Sequence, residues 1–193
     1  MSMLGPANQE ILLRARADLR LGIPIVLAGK ENDAIMAPIE VLSQTRLDQL
    51  KLIDKNSFIL LTARRAQTLK CPIYDRNFVR ISLDQVPKIT SVKAISDPSL
   101  DLRTPLKGPF DVIRDKTLKL ENEALLLLKS AQLLPAAIVS KVDNGENYAT
   151  QHNLTYLQTE LLQKIELRSE EIADAISAEI PTARAQKTQF HIF

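Results

Sequence analysis

A chain of 193 residues, 45% hydrophobic and 25% charged, has enough apolar material to bury a core, and its formal charge of +2 gives no polycationic surface for nucleic acid or an anionic membrane. The single cysteine, Cys71, excludes an intramolecular disulfide and a zinc site built on several thiolates. Glu10, Arg14, Arg16, Asp18 and Arg20 keep the N-terminal stretch from serving as the apolar part of a secretory signal, and Lys129 breaks the apolar run Ala124 to Leu128. The chain therefore reads as cytoplasmic, with no membrane span.

Ile11, Leu12, Ala15 and Leu19 recur at helical spacing and predict an amphipathic helix over Asn8 to Arg20, ended by Gly22. Two short apolar runs follow, Ile23 to Leu27 and Ala34 to Ile39, separated by the polar turn 28–33, and predict two strands joined by a tight loop. Ser43 is placed as an N-cap for a helix whose buried face is Leu47, Leu50 and Ile53. Phe58 to Leu61 reads as a strand, and Thr62 as the cap of a short helix holding Arg64 and Arg65. Alternation from Val79 to Ile95 predicts two more strands with Pro87 between them, and Pro98, Pro105 and Pro109 predict an irregular segment over 97–115. Leu120 to Leu133 is expected to be an apolar helix, and Ala136 to Val142, introduced by Pro135, a buried strand. Tyr156 to Ser177 has no glycine or proline and reads as one long helix stopped by Pro181, and Phe190 to Phe193 as a strand just begun. The alternation of elements predicts an α/β fold with a layered, mixed sheet plus a long C-terminal helix.

Candidate chemistry is sparse. Glu31 and Asp33 lie in the turn between the first two strands, where they read either as oxygen ligands for a hard cation or as solvated turn acids. Glu121 and Glu123 open a helix, where negative charge is favoured by the helix dipole even without a ligand. Arg64 and Arg65 follow Thr62 at a helix start, a place suited to phosphate, although paired arginines also occur as plain surface residues. His152 and His191 stand far apart with no metal-ligand spacing, and nothing beside Cys71 suggests an activated thiol.

Two segments carry a family resemblance. Asp18-Leu-Arg-Leu-Gly-Ile-Pro-Ile-Val-Leu with Ala34-Ile-Met-Ala-Pro-Ile-Glu40, and Glu121-Asn-Glu-Ala-Leu-Leu-Leu-Leu-Lys-Ser-Ala-Gln-Leu-Leu-Pro-Ala-Ala-Ile-Val139, resemble dihydroxybutanone phosphate synthase of riboflavin biosynthesis. His152-Asn-Leu and Glu179-Ile-Pro-Thr are similar to the connector that joins this synthase to GTP cyclohydrolase II in fused proteins. The resemblance implies a synthase-like domain over 1–145, a helical connector over 146–181 and the start of a truncated cyclohydrolase domain over 182–193. A chain ending inside such a strand is expected to continue in a longer protein.

The resemblance also implies magnesium, held by an acidic loop between the first two strands and by a histidine opening the late helix as His-Thr-Glu. Here the loop is shortened to Gly29-Lys-Glu-Asn-Asp33, Glu121 stands at the histidine position with Glu123 retained, and the family's Cys-Thr and Thr-Gly-Ile-Ser motifs are missing. The expectation is a degenerate, non-catalytic domain that forms a homodimer or supports an attached GTP cyclohydrolase II. One alternative is a divergent magnesium-dependent synthase acting on ribulose 5-phosphate, with Glu31 and Glu121 as metal ligands and Glu31, Asp33 and Glu123 as catalytic candidates. The other is a module that binds a phosphorylated ligand through Arg64 and Arg65.

Overall fold

The computed structural model describes residues 5–84, 86, 88–114 and 118–162, together with the backbone of 176–182 and 185–192. The chain divides into two compact units, Met1–Leu162 and Gln163–Phe193.

In the first unit α1 spans Asn8–Arg20, as its periodicity predicts, and Glu10 accepts the Ala7 N–H at its start. β1 (Ile25–Ala28) begins two residues later than expected. The reason is local: the Ile23 N–H returns to the Asp18 carbonyl to close the helix, and Pro24 has no N–H for a ladder. β1 turns into antiparallel β2 (Asp33–Pro38), then α2 (Gln44–Ile53) starts with Ser43 accepting the Arg46 N–H. β3 (Phe58–Thr62) runs into α3 (Ala63–Thr68), which Thr62 caps by accepting the Arg65 N–H. β4 is Phe78–Ser82.

The second of the two strands expected between Val79 and Ile95 is instead a helix, α4 (Ile89–Ser96). Ile89, Val92 and Ile95 recur every third residue and pack on the core, whereas Ser91 and Lys93 interrupt the period-two pattern a strand would need. The proline-rich segment after it is irregular apart from the 3-10 turn Pro98–Leu100 and a single bridge from Val112 to Ile81. α5 (Glu121–Ser130) ends early, because Gln132 takes a positive φ and the Leu133 N–H folds back to the Leu128 carbonyl. β5 (Ala136–Val142) and α6 (Gly145–His152) follow.

The head of the long helix expected from Tyr156 is a strand, β6 (Tyr156–Gln158), because it pairs in parallel with Val26–Ala28 of β1. Its tail is also a strand: β7 (Ile176–Thr182) pairs with β8 (Ala185–Ile192) and makes up the second unit's two-stranded sheet. Pro181 therefore lies inside β7, where the register shifts between Ile180 and Thr182, rather than ending a helix. The middle of that expected helix, 163–175, lies outside the described residues.

The first unit is a six-stranded mixed sheet in the order β4-β3-β5-β2-β1-β6. Val26, Ile35, Ile59, Leu61, Val79, Ile81 and Ile138 share one core with residues of α2, α3, α4 and α6. Helices α1 and α5 contact each other and cover the opposite face. This is the layered mixed α/β architecture that the alternation of elements predicts. Among the described residues no helix is long and apolar enough to cross a membrane.

Candidate functional site

The loop between β1 and β2 packs against the residues that lead into α5. Asn32 Nδ2 donates to the Leu118 carbonyl over 3.4 Å, and Lys119 forms an ion pair with Glu31. A Cβ on Gly29 would stand 2.6 Å from Leu120 Cδ2, so this close approach needs glycine or a shifted leucine. Loop 29–33 is thus packed on residues 118–120, which lead directly into the segment 121–123.

Their carboxylates do not converge. Glu121 is only 2% exposed, and its two oxygens accept the backbone N–H groups of Leu118 and Leu120, each over 3.0 Å. These bonds fix the chain entering α5, whose N-cap residue, Leu120, makes no side-chain cap bond. The buried guanidinium of Arg80, 7% exposed, places Nε 3.8 Å from Glu121 and stacks over the Phe58 ring at 5.6 Å. Glu123 is half-buried on the same first turn.

Asp33 turns the other way. It accepts the Gly145 N–H over 2.8 Å at the start of α6, on the face of the sheet opposite α5. A Cβ on Gly145 would lie 2.8 Å from both Asp33 Cβ and Val26 Cγ1, so glycine permits this contact. Glu31 is exposed in its loop.

The paired arginines separate just as sharply. Arg64 is exposed. Arg65 is buried and donates to the carbonyls of Ile95 (2.8 Å) and Ala94 (3.2 Å) and, through two nitrogens, to both oxygens of Asp101 (2.6 and 2.7 Å). Lys107 reaches the same carboxylate. The hydrogen bonds from Arg65, helped by Lys107, hold the Asp101 carboxyl well below the usual range. Arg65 therefore ties α3 to the end of α4 and to the proline-rich segment. Burial pushes the Cys71 thiol up to about 11, against a smaller opposing effect of Arg65, so it is not an activated nucleophile. His152 stacks on Tyr148, and His191 lies in β8, where only the backbone is described.

Beside the head of α5 opens a polar cleft of about 720 Å³, at the end of the sheet where β3 begins and β4 and β5 finish. Its lining brings the cations Lys55, Arg80 and Lys141 together with the carboxylates Asp54, Asp84, Asp111 and Asp143. Asp54 is occupied in structure, accepting the N–H groups of Asn56 and Lys141. None of these cleft residues was singled out in the sequence. The available signal was Arg80, a charge set between Val79 and Ile81 in an apolar strand.

Magnesium requires several oxygen ligands in near-octahedral array. Among the described residues no three His, Cys, Asp or Glu side chains are grouped so as to hold a metal ion. Glu121 is committed to two amides and Arg80, Glu31 to Lys119, and Asp33 to the other face of the sheet. As arranged, these side chains do not fit a magnesium site.

Compared by sequence, the chain matches no family model and no curated protein. Solved structures match it well. A cation-free 3,4-dihydroxy-2-butanone 4-phosphate synthase superposes with a TM-score of 0.64 at 11% identity, over 82% of this chain and 98% of that one. The chain has the fold of the 3,4-dihydroxy-2-butanone 4-phosphate synthases. A second such synthase, determined in complex with two magnesium ions, gives a TM-score of 0.61 at 10% identity over 86% of this chain and 99% of its own. RibBX, a two-domain synthase from A. baumannii, matches over 93% of this chain with a TM-score of 0.60 and 13% identity. The chain spans 65% of the length of that two-domain protein.

Proposed function

We propose that this chain is a synthase-fold domain of a riboflavin-pathway protein that does not run the synthase reaction. The Glu121–Arg80 pair carries this reading. The carboxylate at the head of α5 is buried, accepts a hydrogen bond from an amide on each oxygen and is paired with a guanidinium, which suits it to hold the fold rather than a metal. The division of Asp33 and Glu121 between the two faces of the sheet supports the same conclusion.

The role we assign is that of a cytoplasmic scaffold that forms a homodimer and supports an attached GTP cyclohydrolase II, with 1–145 as the synthase-like domain, 146–181 as connector and 182–193 as the first part of the cyclohydrolase. The test is formate release from ribulose 5-phosphate by the purified chain, with and without magnesium, beside an active synthase. The expected result is no release from folded protein. Magnesium-dependent release that Glu121→Ala abolishes would instead make the chain a divergent synthase. Saturable binding of ribulose 5-phosphate without turnover would point to a phosphorylated-ligand sensor, with the cations of the cleft as its first candidates.

A further inference from the structure

A second cavity, of about 760 Å³, lies between α2 and α6 and shares one lining residue, Ile53, with the polar cleft. Its walls are mostly apolar, with Ile35 of β2, Leu50 and Ile53 of α2, and Leu154 beyond α6. The stacked rings of Tyr148 and His152, 4.3 Å apart, add an aromatic side. Arg46 is the fixed charge in the lining, which contains no carboxylate. Its Nη1 donates to the carbonyls of Leu21 (3.2 Å) and Gly22 (2.5 Å), so the guanidinium is held in place at the cavity wall.

We propose that this cavity binds a small amphiphilic anion: a planar aromatic body carrying a single carboxylate, sulfonate or phosphate group. The volume is that of a small-molecule pocket, in which apolar walls supply affinity and a few polar groups fix orientation. The aromatic pair offers a stacking surface for a flat body. The sign of the ligand follows from the lining: an anchored arginine with no carboxylate to neutralise it favours an anionic end and disfavours a cation.

The probe is anilinonaphthalene sulfonate, which has such a body and charge, compared by fluorescence titration with uncharged N-phenylnaphthylamine. The intact chain is expected to bind the sulfonate saturably, one per chain, and about tenfold tighter than the neutral dye. Arg46→Gln should erase that preference. Because Arg46 also bonds Leu21 and Gly22, Leu52→Asp provides a second variant; Leu52 lines the cavity yet is 87% exposed, so its replacement leaves the core untouched. It should weaken sulfonate binding at least about tenfold by placing a like charge at the site. Non-saturable binding, or sulfonate binding that Leu52→Asp leaves unchanged, overturns the proposal. So does sedimentation showing a dimer that Leu52→Asp dissociates, since a second copy would then cover the cavity.

Discussion

Two ion pairs meet near the head of α5, one reaching β4 and the other the β1–β2 loop, and they differ in almost everything but charge. Glu121 and Arg80 are buried at the head of α5, whereas Glu31 and Lys119 are 50% and 59% exposed across the loop. Water screens the exposed pair and takes up either partner when the other is lost. It cannot do so for the buried pair, whose value lies less in mutual attraction than in the cost of leaving one charge alone. Position within a fold, more than residue type, decides whether a carboxylate is an architectural group or a solvated one.

The sharpest way to break this contrast is to remove one buried partner. Glu121→Ala removes a buried carboxylate from beside Arg80 and leaves the Leu118 and Leu120 amides without their carboxylate acceptor. It should cost about 3–5 kcal/mol, a fall in Tm on the order of 10 °C for a unit of this size. Arg80→Met alone is also destabilising, but combined with Glu121→Gln, which removes both charges, the loss should be clearly smaller than the sum of the two single changes. Urea unfolding of the four proteins checks this. Strict additivity would mean that the two groups are not coupled and that the buried pair is no different from a surface one.

Much of this organisation was legible in the sequence, for reasons that are themselves local. Ser43 and Thr62 were readable as caps because each side chain serves an amide three residues on, Arg46 and Arg65. The leucine run of α5 and the apolar run of β5 declare themselves by composition. By contrast, β6 was hidden because its residues suit a helix equally well, and pairing with β1 decides the matter. The candidate site was legible in part: loop 29–33 does pack beside the head of α5, on residues 118–120, but sequence cannot say that Asp33 and Glu121 belong to opposite faces. Nor could it separate Arg64 from Arg65, adjacent residues whose fates depend on where Asp101 arrives from the irregular segment.

That Arg65–Asp101–Lys107 group is the intermediate case, with an arginine 8% exposed and a carboxylate 30% exposed. Asp101→Asn should cost about 1–3 kcal/mol at neutral pH, since hydrogen bonds to charged groups are lost while a side chain of similar shape remains. Its pH dependence follows from the depressed carboxyl. A group held more acidic in the folded state stabilises fully above its unfolded value, about 3.9, and loses that contribution as pH falls below it. The gap between the native protein and Asp101→Asn should therefore be constant from pH 7 to 5 and shrink progressively below pH 4. A gap independent of pH down to 3 would show that the carboxylate charge contributes nothing to the clamp.

The smallest effect is expected at the loop. Glu31→Ala removes an exposed carboxylate whose partner, Lys119, can turn to water, so stability should change by less than about 1 kcal/mol and the change should fade in high salt. Charge reversal sharpens the point: Glu31→Lys should cost slightly more than alanine at low salt and no more than alanine at high salt, because only screened repulsion is added. Thermal melts at two ionic strengths separate these outcomes. A large, salt-independent loss for Glu31→Ala would place this carboxylate with Glu121 rather than against it, as part of the packing between the β1–β2 loop and the head of α5, and the division between an architectural and a solvated acid would have to be redrawn around the loop as a whole.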